Sequence, residues 1–217
     1  MKRLIALLEE LIWPRGLKCL CCDDLSEGEL LCPSCKKALT AMRLKQEDVA
    51  DGDCRAVYRY EGAAKQLVLL LKEECTADAA RPLAQGMAEV IREMKLPSDT
   101  VLTWVTMPDM RRKKRGIDHG KTLCEAVGQE VQIPVRQLLT RTGKLHTQRG
   151  LKREARLKNL AGTIACVERI TSPVLLIDDV MTTGATASAC TEALLAAGAP
   201  RVYVLTATQA MLKRNRE

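Results

Sequence analysis

Asp178 and Asp179 stand side by side at the end of a four-residue apolar run, and Thr182, Thr183, Gly184, Ala185 and Thr186 follow within VLLIDDVMTTGAT, residues 174–186. A short apolar run bounded by turn signals reads as a buried strand, and the residues after Gly184 read as a helix start. A turn entering a helix offers backbone N–H groups and the positive end of a dipole to an anion. Threonine hydroxyls add donors, and glycine lets the backbone come close. The turn has no lysine, so it is not a Walker A loop. Two adjacent carboxylates repel a phosphate and suit sugar hydroxyls or a magnesium-bound ligand instead. The combination describes a ribose 5-phosphate, with Asp178 and Asp179 on the 2- and 3-hydroxyls and residues 182–186 around the phosphate.

A second cluster has different chemistry. Cys19, Cys22, Cys32 and Cys35 form two C-x2-C pairs, a spacing that lets four thiolates close on one tetrahedral zinc ion. Four sulfur ligands leave no open position, so the expected role is structural, supplying folding free energy to a segment too small for its own core. Cys21 is a further thiol that competes for the same ion, and no glycine follows Cys22 to ease the first turn.

Two basic segments precede the carboxylate strand in sequence. PDMRRKKRG, residues 108–116, carries five cations in nine residues. It follows an apolar run at 101–105, and strand-end loops of an open sheet converge on one edge. Arg111, Arg112 and Arg115, with Gly116, are therefore candidates for pyrophosphate, because planar guanidinium forks match phosphate in pairs. Residues 140–160 are polar and basic, and a loop of that length inside a domain is expected to act as a lid.

The elements that must position these groups alternate. Strands are expected at 54–60, 101–105, 163–166, 174–177 and 202–205, with helices at 63–72, 78–94, 121–131 and 186–197. That order implies parallel βαβ units under one sheet. The opening MKRLIALLEELIW places Leu4, Leu7, Leu8, Leu11 and Ile12 on one helical face, and Glu9 and Glu10 interrupt it as a signal peptide. No apolar stretch is long enough to span a membrane. Ten cysteines, half of them scattered singly, point to reduced thiols and a cytoplasmic setting. A net charge of +7 favours anionic partners, whereas 2% aromatics and no Phe argue against stacking platforms for exposed bases.

The segment 174–186 closely resembles the signature of type I phosphoribosyltransferases, which bind phosphoribosyl pyrophosphate (PRPP). A four-cysteine zinc module ahead of such a domain resembles the ComF/GntX-like family, associated with competence for DNA uptake. YEGAAKQLVLLLK at 60–72, PDMRRKKRGIDHG at 108–120, Gln148–Leu151 and Arg156–Asn159 agree with that family's elements. Ile117 stands where the family has an aromatic, and Thr106 and Met107 replace its Val-Pro approach to the loop. The resemblance implies a helix and zinc module over residues 1–45 and, over 46–217, an α/β phosphoribosyltransferase fold whose flexible hood offers Lys144, His146, Gln148 and Arg149. It implies PRPP with magnesium as ligand, and a competence helicase, other DNA-uptake proteins or single-stranded DNA as partners. Pentosyl transfer is one expected activity; an inactive PRPP-sensing or DNA-binding adaptor is the alternative.

Overall fold

The computed structural model describes residues 17–45, 53–107, 117–141 and 163–210. The hood residues, Arg111, Arg112, Arg115 and Gly116, and the opening helix lie outside them.

The described residues begin with a thiol-bearing loop and helix α1 (Pro33–Ala41), then strand β1 (Cys54–Arg59), helix α2 (Gly62–Lys72), a 3-10 turn (Ala77–Ala79) and helix α3 (Ala80–Glu93). Strand β2 (Val101–Trp104), helix α4 (His119–Val131) and strands β3 (Leu139–Arg141) and β4 (Ile164–Cys166) follow. Strand β5 (Val174–Met181), helix α5 (Ala185–Ala196) and strand β6 (Val202–Gln209) complete the order. Four strands form one parallel sheet in the order β1-β6-β5-β2, while β3 and β4 pair separately and antiparallel.

Helices cover both faces of the sheet, so its central strands are apolar on both sides. Side chains alternate along a strand, and the alternation sorts the core in two. Leu175, Ile177, Leu205 and Ala207 pack with Leu67, Leu71, Leu83, Met87 and Leu123 from α2, α3 and α4. Val174, Leu176, Val202 and Val204 pack with Ala189, Cys190 and Leu194 of α5 and with Leu139 and Ile164 of the small hairpin. Cys19, Leu31, Cys32 and Leu39 belong to the first of these cores. The thiol module is thus continuous with the α2 side of the sheet.

Two differences from the expected elements matter for the site. The carboxylate strand does not end at Ile177; it stays paired to β6 as far as Met181. The strand expected at 163–166 pairs with β3 instead of joining the main sheet. Both sheet edges are covered by irregular backbone. The Leu44 N–H donates to Val57 O and the Arg59 N–H to Met42 O along β1. Along β2, the Leu102 N–H donates to Pro134 O and the Arg136 N–H to Leu102 O.

Candidate functional site

Cys19, Cys22, Cys32 and Cys35 bring their sulfurs within 4.8 Å of one another. The Cys22 and Cys32 sulfurs are 3.6 Å apart, close to the separation of about 3.8 Å that follows from four Zn–S bonds of about 2.3 Å in a tetrahedron. The backbone serves thiolates: the Cys21 N–H points at the Cys19 sulfur at 3.4 Å. Burial pushes the Cys19 thiol up, but the N–H groups of Cys32, Cys21 and Cys22 outweigh it and lower its pKa. Cys32 is lowered to about 6, first by the Ser34 hydroxyl and then by the Cys35 N–H. It caps the N-terminus of α1, with Pro33 in the first turn, where the helix dipole favours a thiolate. This donor set fits a zinc ion.

Cys21 stands apart from the four. Its sulfur lies 4.0 Å from Ala63 O at the start of α2, and burial above all raises its pKa to about 11. The missing glycine after Cys22 is also accounted for. Asp23 takes the left-handed conformation at φ 61°, which Asp tolerates better than most side chains.

The second site lies at the C-terminal end of β5. Because β5 remains a strand through both aspartates, Asp178 and Asp179 project to opposite faces. Asp178 points to the α5 side and is half-buried beside Thr206, its neighbour on β6. It accepts a hydrogen bond from the Asp179 N–H at 2.9 Å. Burial, and then the charge of Asp179, raise its pKa to about 8.

Asp179 points the other way, is 3% exposed, and already has company. Lys72, the last residue of α2, places Nζ 2.7 Å from Oδ1. His119, the first residue of α4, places Nε2 3.1 Å from Oδ2. Burial opposes the Asp179 charge, but His119 and Lys72 together hold the carboxyl below its usual range.

The turn beyond the strand has the expected geometry. Gly184 sits at φ 75° at the N-terminus of α5, and a Cβ there would meet nothing within 4 Å. Glycine is required by the backbone angle, not by crowding. The Ala185 N–H donates to Thr183 Oγ1 at 3.4 Å. A small pocket is lined by Asp178, Thr182, Gly184, Ala185, Thr186 and Thr206. An open cleft of about 460 Å³ adjoins it, with Lys72, His119, Arg141, Asp178, Asp179 and Thr182 among its walls.

No family model matches the chain. A DNA utilization protein of Salmonella typhi, YhgH, is 27% identical over 204 residues, covering 87% of this chain and 88% of its own. That full-length likeness joins the four-thiol cluster and the parallel sheet. The chain is similar to this DNA utilization protein over most of both lengths. Phosphoribosyltransferases are among its structural neighbours. Glutamine PRPP amidotransferase from B. subtilis is 19% identical with a TM-score of 0.40, over 60% of this chain and 26% of that one. Adenine phosphoribosyltransferase from Leishmania tarentolae is 14% identical with a TM-score of 0.39, over 65% and 74%. The chain spans about a quarter of the length of the first two structural relatives.

Of the residues singled out in the sequence, the structure gathers the four cysteines, and it gathers Asp178 with the turn 182–186. It also shows contributors that the sequence left unmarked: Lys72, His119 and Arg141. The signal for Lys72 was a cation closing the apolar run Leu67–Leu71. His119 directly follows Asp118, whose Oδ1 accepts from the Lys121 N–H at 3.1 Å and caps α4. Asp118 Oδ2 also lies 3.4 Å from Trp104 Nε1. Replacing this cap by alanine is expected to cost about 1–2 kcal/mol, read from chemical denaturation. A loss below about 0.5 kcal/mol would show that the cap does not hold α4.

Proposed function

We propose that this protein binds PRPP, or a related ribose 5-phosphate ligand, at the C-terminal end of β5, in a role linked to DNA uptake. One observation carries the reading: a left-handed glycine turn at a helix N-terminus shares a pocket with a carboxylate on the same side of the sheet. Backbone N–H groups and threonine hydroxyls of residues 182–186 would hold the 5-phosphate, while Asp178 would accept sugar hydroxyls. Arg111, Arg112, Arg115 and Gly116 are the proposed pyrophosphate contacts. Magnesium would travel with the pyrophosphate. Asp178 is the more exposed of the two aspartates, and a nearby cation would favour its ionised form. The link to DNA uptake is supported by the likeness to a DNA utilization protein.

Calorimetric titration of zinc-loaded protein with PRPP, with and without magnesium, tests this reading. Magnesium-dependent binding that is lost in Asp178→Asn is the expected outcome. Absence of binding by folded protein would discard the PRPP site. Asp178 must give up a proton to bind as a carboxylate, and its pKa in the free protein is raised to about 8. Affinity should therefore climb as pH rises from about 6, by at most about tenfold per unit, and level off above about 8. A flat profile would remove Asp178 from the contact.

The relative's DNA role and the charge of +7 also favour a reading as a PRPP-sensing adaptor that contacts partner proteins or single-stranded DNA. Pyrophosphate release separates the two: an enzyme frees it from bound PRPP when its acceptor is present, and a sensor does not.

A further inference from the structure

A second cleft, of about 540 Å³, opens between the thiol module and α3 and shares no wall with the one at Asp178. Lys36 and Thr40 of α1 line it, as do Tyr58 of β1 and Asp78, Arg81 and Gln85 at and along α3. We propose that this cleft docks an extended peptide segment of a partner protein, one that carries an acidic and a basic side chain two residues apart.

Several polar groups at this cleft have nothing to bind. Tyr58 is 5% exposed, and its hydroxyl has no hydrogen-bond partner among the described residues. A desolvated hydroxyl without a partner is costly, and a ligand in the cleft would remove that cost. Gly86, also a wall of the cleft, has no side chain to cover it. The side chains of Asp78, Arg81 and Gln85 likewise make no hydrogen bond or ion pair with described residues. The other charges are already matched. Lys36 Nζ lies 3.3 Å from Glu29 Oε2, and Glu89 pairs with Arg43.

These groups choose among ligands. Glu29, Asp78 and Glu89 offset Lys36 and Arg81 in the walls, so the cleft has no surplus of positive charge for a phosphate backbone. The Tyr58 hydroxyl and the Gln85 amide can each donate and accept, as a peptide backbone does. The Arg81 fork matches a carboxylate in pairs, and Asp78 suits an ammonium or guanidinium. Asp78 and Arg81 are three residues apart at the start of α3, which sets their side chains about 5–6 Å apart. Alternate residues of an extended peptide share a face and lie about 6.6–7 Å apart. An acid on Arg81 and a base on Asp78 therefore fit two residues apart in the ligand. From Asp78 to Glu89 the helical rise is about 16 Å, the length of about five extended residues.

The test titrates full-length, zinc-loaded protein with the probe acetyl-Ser-Glu-Ser-Lys-Ser-amide and follows backbone amide NMR shifts. Shifts are expected in α1 and α3, and a control peptide with Gln in place of Glu and Lys should bind about tenfold more weakly or worse. Arg81 and Gln85 are exposed, so substitutions there leave the core intact. Arg81→Glu should lose the probe by about tenfold or more and favour acetyl-Ser-Lys-Ser-Lys-Ser-amide, because both unpaired groups are then acidic. Tyr58→Phe, which removes only the hydroxyl, should weaken the probe by about three- to tenfold. No step needs PRPP, so the outcome is separate from that of the ribose 5-phosphate reading. Equal binding of the neutral control, unchanged affinity in Arg81→Glu, or no shift in α3 at millimolar probe would each overturn the proposal.

Discussion

Cys19→Ser protein is expected to lose its metal and, with it, the fold of the thiol module. Structural zinc sites in small modules contribute apparent binding energies of about 10–16 kcal/mol near neutral pH, as large as a typical domain's whole margin of stability. The consequence should not stay local, because Cys19, Leu31 and Leu39 are buried in the same core as Leu67 and Leu71 of α2. Metal content by atomic absorption and amide exchange across residues 62–72 would check this. The expected result is an absence of bound zinc together with faster exchange in α2. Unchanged exchange in α2 would mean that the module is an independent appendage despite the shared core.

Gly86→Ala should have the second-largest effect, contrary to what helix propensity alone would forecast. Gly86 lies within α3, where alanine is ordinarily favoured by about 1 kcal/mol. Here the ring of Tyr58 fills the place of a side chain: an added Cβ would lie 2.7 Å from Cζ and 3.0 Å from Cε2, and would collide with the hydroxyl. Tyr58 is only 5% exposed on β1, so the ring has little room to retreat. A net destabilisation of about 1–3 kcal/mol is expected, measured as the shift in urea midpoint at constant slope. A more stable variant would show that the ring swings out freely.

How far the sequence revealed this arrangement depends on the range of the forces involved. The helices at 62–72 and 80–93 and the order of the main strands follow from local periodicity, which depends only on near neighbours. The four-cysteine spacing was legible for the same reason. β3 was not: Leu139–Arg141 is three residues with no pattern of its own, and it is a strand only because β4 lies beside it. The length of β5 was hidden by its chemistry. Two aspartates after Ile177 look like a loop, yet β6 holds them in register to Met181. The pairing of Lys72 with Asp179 spans over a hundred residues and depends on where α2 ends over the sheet, which no local pattern encodes. Asp23 shows the reverse case: it supplies without glycine the left-handed turn that the knuckle needs.

The covered edges of the sheet restrict how anything can dock on this molecule. A peptide that recruits a host by strand addition needs a free row of N–H and C=O groups along an outer strand. On β1 those groups are engaged by residues 42–44, and on β2 by residues 134–136. Another chain could extend the sheet only after peeling one of these segments away. The fold thus resists edge-to-edge stacking between copies, and it directs incoming proteins toward side-chain surfaces such as helix flanks and the thiol module.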